Sequence, residues 1–203
     1  MKSTNESNQK VLGAQRMDLV TMIEPQDKDH PEIVQAVIET PQGSRNKYKY
    51  DEETGLFKLH KVLPTGSAFP YSFGFVPKTL APDGDPVDVL VFADEPVPVG
   101  CIVPSRLIGV LEAEQGKPGH MERNDRLIAV AAESRDHEDL VSFRKIAKSL
   151  REEIEHFFVS YHDLDDEEFR ILDCRGPSGG QHVLEQTRKE FGKKHRGRNG
   201  KRS

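Results

Sequence analysis

From residue 33 onward the chain alternates short runs of β-branched and aromatic residues with turn signals. The runs cover 33 to 39, 46 to 50, 56 to 62, 72 to 76, 87 to 92, 101 to 112, 126 to 131 and 169 to 173. Between them stand turn-forming groups such as Glu53-Thr54-Gly55 and Pro82-Asp83-Gly84. Many short strands joined by tight turns predict a closed or partly open β-barrel, an arrangement that leaves few unpaired edges. The period changes at Phe143. There Phe143, Ile146, Ala147, Leu150, Ile154, Phe157, Phe158 and Tyr161 recur at helical spacing and predict one continuous helix of about five turns, its apolar face toward the core. A second, shorter helix is predicted after Ser178, with Val183, Leu184, Thr187 and Phe191 on one side, fraying into a polar tail. The organisation expected is a flexible extension over 1 to 31 with a short element at Met17 to Ile23, one domain over 32 to 191, and a basic disordered tail over 192 to 203.

Composition supports one domain with loose ends. In 203 residues, 35% are hydrophobic and 31% charged, enough for a single buried core with polar appendages. Cys101 and Cys174 are too few for a disulfide framework and have no metal-type spacing, which fits a reducing cytoplasm. No apolar run reaches membrane-spanning length, and Met1 to Gln15 lacks the apolar segment of a secretory leader. A soluble cytoplasmic protein is expected. Charge is uneven: Arg188 to Arg202 holds eight Lys or Arg against Glu190, a net of +7, leaving −12 on the remainder of a chain whose total is −5. Such a glycine-containing basic end reads as solvated, with no membrane partner and no nucleic-acid partner expected.

The run Asp83-Gly84-Asp85-Pro86-Val87-Asp88 ahead of an apolar strand places three carboxylates where the backbone cannot spread them apart. In an extended segment Asp83 and Asp85 share a face, and Gly84 with Pro86 favours a turn that brings Asp88 round to it. Hard divalent cations, Mg2+ first and Mn2+ second, make such a cluster tolerable through all-oxygen ligation. An acidic turn before a strand is the plainer alternative. An EF-hand does not fit, because Pro86 and the apolar run after it displace the ligand positions.

Taken with Val37-Ile38-Glu39, Asn46-Lys47-Tyr48, Gly55-Leu56-Phe57, Tyr71-Ser72-Phe73-Gly74-Phe75, Ile108-Gly109-Val110-Leu111, Arg126 to Val130 and His156-Phe157-Phe158 with Tyr161, this run resembles the soluble family I inorganic pyrophosphatases over about residues 33 to 165. The resemblance implies a mainly β (α+β) fold, an OB-type β-barrel with flanking helices, and Mg2+-dependent hydrolysis of pyrophosphate by a metal-activated water. It implies that Asp83 and Asp88 hold the metals and that Asp85, beside them, is the base for the attacking water. Glu39 matches an acid that orders the metal-water network. Lys47 and Lys61 match phosphate-binding cations, Lys61 standing for an arginine, and Tyr161 matches a tyrosine that donates its hydroxyl to phosphate. Tyr161 also lies on the helix's apolar stripe, so packing is its alternative role. Family members are commonly homo-oligomers, and the same is expected here.

Departures fall on the chemistry. Phe69 and Phe73 replace tyrosines, Lys49 replaces a glutamate, and Arg126 and His162, both candidate substrate-binding groups, replace lysines. Two further family aspartates align with Gln115 and Asn124, amides that are poor substitutes as Mg2+ ligands. The segment from 112 to 125 reads as a long loop carrying Glu112, Glu114, Glu122 and Asp125, so a one-residue shift would restore carboxylates, Asp125 foremost. Three readings follow: a pyrophosphatase of reduced rate, a pyrophosphatase-like domain that binds a phosphorylated ligand or partner, and a hydrolase of an organic diphosphate with Phe69 and Phe73 as an apolar wall.

Overall fold

In the computed structural model, which describes residues 18–164 and 166–199, the elements run α1 (Leu19–Met22), β1 (Ile33–Thr40), β2 (Asn46–Asp51), β3 (Leu56–Val62), β4 (Ser72–Phe75), β5 (Asp88–Phe92), β6 (Ile102–Lys117), β7 (His120–Arg123), β8 (Arg126–Ala131), a 3-10 turn (Phe143–Lys145), α2 (Lys148–Asp163), β9 (Glu168–Arg175) and α3 (Pro177–Asn199). The runs at β4, β5 and β8 are buried on both faces, whereas β2, β3 and β9 are partly or largely exposed strands held by pairing with a neighbour. Pairing in the order β1-β4-β5-β8-β6, closed by β1 against β6, makes a five-stranded barrel with β5 and β8 parallel. This is the OB-type barrel, mainly β with flanking helices.

Closure depends on β6, whose 16 residues outrun the barrel. Along one edge it pairs β1 through Ile102 to Arg106 and then β9 through Val110 to Gly116. On its other edge come β8 and then the short β7. β2 and β3 form a separate two-stranded ribbon. Strand alternation divides the core. Leu90, Phe92, Ile128 and Val130 pack with Ile154, Phe158 and Tyr161 of α2. Val89, Val91, Leu127 and Ala129 pack with Val183 and Leu184 of α3. A third cluster joins Val20 of α1, Val37, Tyr50 and Phe75, with Phe191 of α3 against it.

One close approach sets the mouth of the barrel. Between Ile38 and Thr40 the pairing of β1 with β4 slips, so Glu39 is the extra residue of a bulge. The opposite backbone comes so near that a Cβ on Gly74 would lie 1.9 Å from the Val37 carbonyl oxygen. Glycine is the residue that allows this spacing.

Four expectations change. The continuous helix from Phe143 is two elements, since Ile146 and Ala147 are extended (ψ 159° and 137°) and α2 begins only at Lys148. Phe143 is fully buried in the core beside β6, and the chain straightens before α2 lies against β9. Residues 112 to 125 form a hairpin of β6 and β7 rather than a loop, held by pairs such as Glu114 with Arg123. The second helix is the longer one, at 23 residues against 16, and residues 192 to 199 continue it. Val183, Leu184, Thr187 and Phe191 anchor that helix on the barrel, and each further turn adds backbone hydrogen bonds at low cost. The N-terminal extension is placed from Asp18, which caps α1 by accepting from Val20 N, while Gln26 bridges Val34 of β1. The expectations for residues 1 to 17 and 200 to 203 lie outside the described residues.

Two glycine substitutions test this architecture. Gly74→Ala forces overpacking against the β1 backbone and is expected to cost about 2–3 kcal/mol, read as a fall in Tm of roughly 5–10 °C. Gly192→Ala meets only the Arg196 side chain at 3.8 Å. It should stabilise α3 by up to ~1 kcal/mol; an unchanged melting curve would mean the helix stops before it.

Candidate active site

The β4–β5 connection is tied so that its aspartates project into the barrel mouth. Val76 N donates to Val87 O at 3.0 Å and Val87 N to Thr79 Oγ1 at 2.9 Å, which zips the base of the loop. At its tip Gly84, with φ +93°, donates to Ala81 O at 3.0 Å. Asp85 N donates to Asp83 Oδ1 at 3.1 Å. The tip faces a cavity of about 300 Å³ lined also by β1, β2, β8, the end of β6 and the last turns of α2.

Asp83, Asp85 and Asp88 all line this cavity, and so does Glu39. The β1 bulge turns Glu39 inward, where it is 7% exposed and accepts from Tyr50 N at 2.6 Å. Burial pushes its pKa up to about 7, aided by the charge of Asp88 and opposed by that hydrogen bond. Asp83 rises to about 6, again through burial first, then the charges of Asp88 and Asp85. Burial also raises Asp88, against the pull of Arg126 and Lys47. These carboxylates share a cavity without collapsing into one cluster: among the described residues no three His, Cys, Asp or Glu side chains converge as a metal centre. Lys49 Nζ lies 2.7 Å from Asp85 Oδ2, and Asn124 Nδ2 donates to Asp83 Oδ2 at 3.1 Å, so separate partners hold the acids apart.

The cations come from the β2–β3 ribbon. Lys47 and Lys49 alternate onto the cavity side of β2. Lys61 pairs with Lys47 across the ribbon, and both ammonium groups sit over the Tyr161 ring, 5.0 Å from its centroid for Lys47 and 4.7 Å for Lys61. Burial draws the Lys49 pKa down, but the hydrogen bond and charge of Asp85, with Glu39 and Asp88 behind, win and raise it. Tyr161 lines the cavity and packs at 8% exposure in the aromatic cluster. Phe69 and Phe73 belong to the same cluster, 3% and 4% exposed, with Phe69 edge-on to Phe157.

The hairpin settles which of its side chains face the site. Gln115 and Asn124 line the cavity; Asp125, expected among the metal carboxylates, does not. Successive residues of extended chain point to opposite sides, and the ladder bond from Asn124 N to Ala113 O fixes that alternation. Asp125 instead accepts from Arg123 Nε at 2.6 Å and Ala113 N at 3.1 Å, toward a second cavity that also receives Glu112. Glu114 likewise pairs with Arg170.

Arg126 and His162 complete the wall. Arg126 reaches Asn124 O at 2.9 Å, Gln115 Oε1 at 3.0 Å and His162 Nε2 at 3.1 Å, between the rings of Phe158 and Phe169. His162 stacks on Phe169 at 4.9 Å. His60, Glu52 and Glu167 also line the cavity, unnoticed in the sequence. His60 is the extra residue where β3 slips against β2, so strand alternation does not place it; the other two lie outside the strands.

An acidic loop thus faces a basic ribbon across this cleft, an arrangement suited to divalent cations on one side and a small polyanion between. The sequence model of the family described as inorganic pyrophosphatase matches residues 36–192, so the likeness reaches into α3. The inorganic pyrophosphatase of Halalkalibacterium halodurans is 39% identical over 141 residues, covering 70% of this chain and 84% of that protein. That of Thermus thermophilus is 37% identical over 158 residues, covering 78% and 88%. The crystal structure of the Thermus thermophilus inorganic pyrophosphatase superimposes with a TM-score of 0.78 at 32% identity, over 86% of this chain and 99% of that one. The chain belongs to the inorganic pyrophosphatase family.

Proposed function

We propose that this protein hydrolyses inorganic pyrophosphate to two phosphates, with Mg2+ or Mn2+ as cofactor, at a rate lowered by the changes in its cavity. The observation that carries this reading is the confrontation of Glu39, Asp83, Asp85 and Asp88 with Lys47 and Lys49 across one cleft, Lys61 beside it. Carboxylates pushed up by burial and by one another form an oxygen donor set whose ionised form a divalent cation stabilises. Asp83 and Asp88 would hold the cations, with Glu39 behind them. Such a cation, when bound, makes a coordinated water acidic and neutralises phosphate charge.

The chain's own groups do the rest. Asp85, at the loop tip and half exposed, accepts the proton of the attacking water. Lys47, Lys49 and Lys61 take phosphate oxygens as point charges, with less geometric control than an arginine fork gives. Tyr161 offers its hydroxyl from the wall. The exposed Leu56, Leu59 and Val62 of the ribbon support association of copies, and free Cys101 and Cys174 accord with a cytoplasmic setting.

The Lys49–Asp85 ion pair favours a second reading, a domain that binds a phosphorylated ligand with little turnover, because it occupies the proposed base. For the third reading, Phe69 and Phe73 do line the cavity, but at 3% and 4% exposure they are packed into the core and offer little apolar shelf.

Phosphate release from pyrophosphate, measured with Mg2+ and with EDTA, tests the first reading. Release should require the cation, and Asp85→Asn should lower kcat by about 100-fold or more. Lys49→Glu separates the first two: it frees Asp85 and should raise kcat several-fold while weakening pyrophosphate binding. Weakened binding without any turnover in either form would leave the binding domain as the answer.

A further inference from the structure

We infer that the cavity wall formed by Gln115, Asn124, Arg126 and His162 takes no divalent ion, and that the Arg126 guanidinium stands there as a permanent cation facing Asp88. The inference rests on the cation reading only for the opposite wall. Two of the oxygens that this wall could offer are already turned to an N–H. Gln115 Oε1 accepts from Arg126 Nη2 at 3.0 Å, and Asn124 O accepts from Arg126 Nη1 at 2.9 Å. The Asn124 side chain points its Nδ2, a donor, at Asp83 from 3.1 Å. Neutral amides held this way present too few oxygens to a small hard cation, which requires several well-placed ones.

The guanidinium is fixed. Its central carbon lies 4.6 Å from the Phe158 centroid and 4.5 Å from that of Phe169, and the side chain is 4% exposed. Nε is buried without a hydrogen-bond partner, 3.8 Å from Asp88 Oδ2. A cation bound on this side of Asp88 would meet a like charge that cannot swing away or lose its proton. Nor can the hairpin lend acids to the wall. Glu112 is engaged by Arg175 and Arg123, and Asp125 by Arg123, on the opposite face. Part of the cavity's positive charge is therefore built into the chain, independent of dissolved metal.

The test counts ions rather than turnover. Mn2+ binding to the substrate-free chain, by calorimetry and by the electron-spin-resonance signal of free Mn2+, is compared between wild type and Gln115→Asp/Asn124→Asp. The double variant should bind one more ion per chain; equal counts would overturn the inference. Asn124→Asp alone covers the case in which the double variant does not fold. It places a carboxylate against Asp83, so it should melt below wild type in EDTA and gain more in Tm from Mn2+ than wild type does. An equal Mn2+ shift in the two proteins also overturns the inference. A wild type that binds no Mn2+ while the double variant binds one upholds it and removes the cation reading of the acidic loop.

Discussion

Like charges held out of water are the central constraint in this molecule. Glu39, Asp83 and Asp88 crowd the mouth of a closed barrel, and burial makes each of them costly to ionise. The surroundings read as a response to that cost. Tyr50 N supports Glu39, Asn124 supports Asp83, Arg126 faces Asp88 and Lys49 draws off Asp85. Each acid has its own partner, a neutral N–H donor for Glu39 and Asp83 and a cation for Asp85 and Asp88.

What holds these acids in place is β6. One strand closes the barrel against β1, backs β8, and then runs on as the hairpin that positions Gln115 and Asn124. The bulge at Glu39 depends on the same closure, because it needs the β4 backbone pressed against β1 at Gly74.

Most strands were legible because β-branched runs buried on two faces leave an unmistakable pattern, as at Val87 to Phe92 and Arg126 to Ala131. β7 was not, since His120–Arg123 is a partly exposed edge that owes its form to hydrogen bonding with β6. The break at Ile146 and Ala147 escaped because helical periodicity passes through it unchanged. Residues 192 to 199 look unstructured by composition, yet α3 is anchored upstream and carries them along. Within the site, Asp83, Asp85, Asp88, Glu39 and Lys47 could be named from motif alone. Asp125 could not be rejected, because only the hairpin register tells which of two adjacent residues faces inward.

The cluster of Val20, Tyr50 and Phe75, with Phe191 against it, has a consequence for the order of events during synthesis. Leu19 N donates to the Tyr50 hydroxyl at 3.1 Å and Tyr50 N holds Glu39, and Val20 and Phe75 line the acidic cavity beside Tyr50. Phe191 follows every strand among the described residues. A growing polypeptide can therefore close its barrel on the ribosome while the seat of Tyr50 still lacks its last wall. That wall is supplied only when α3 has emerged and Phe191 has packed against the cluster.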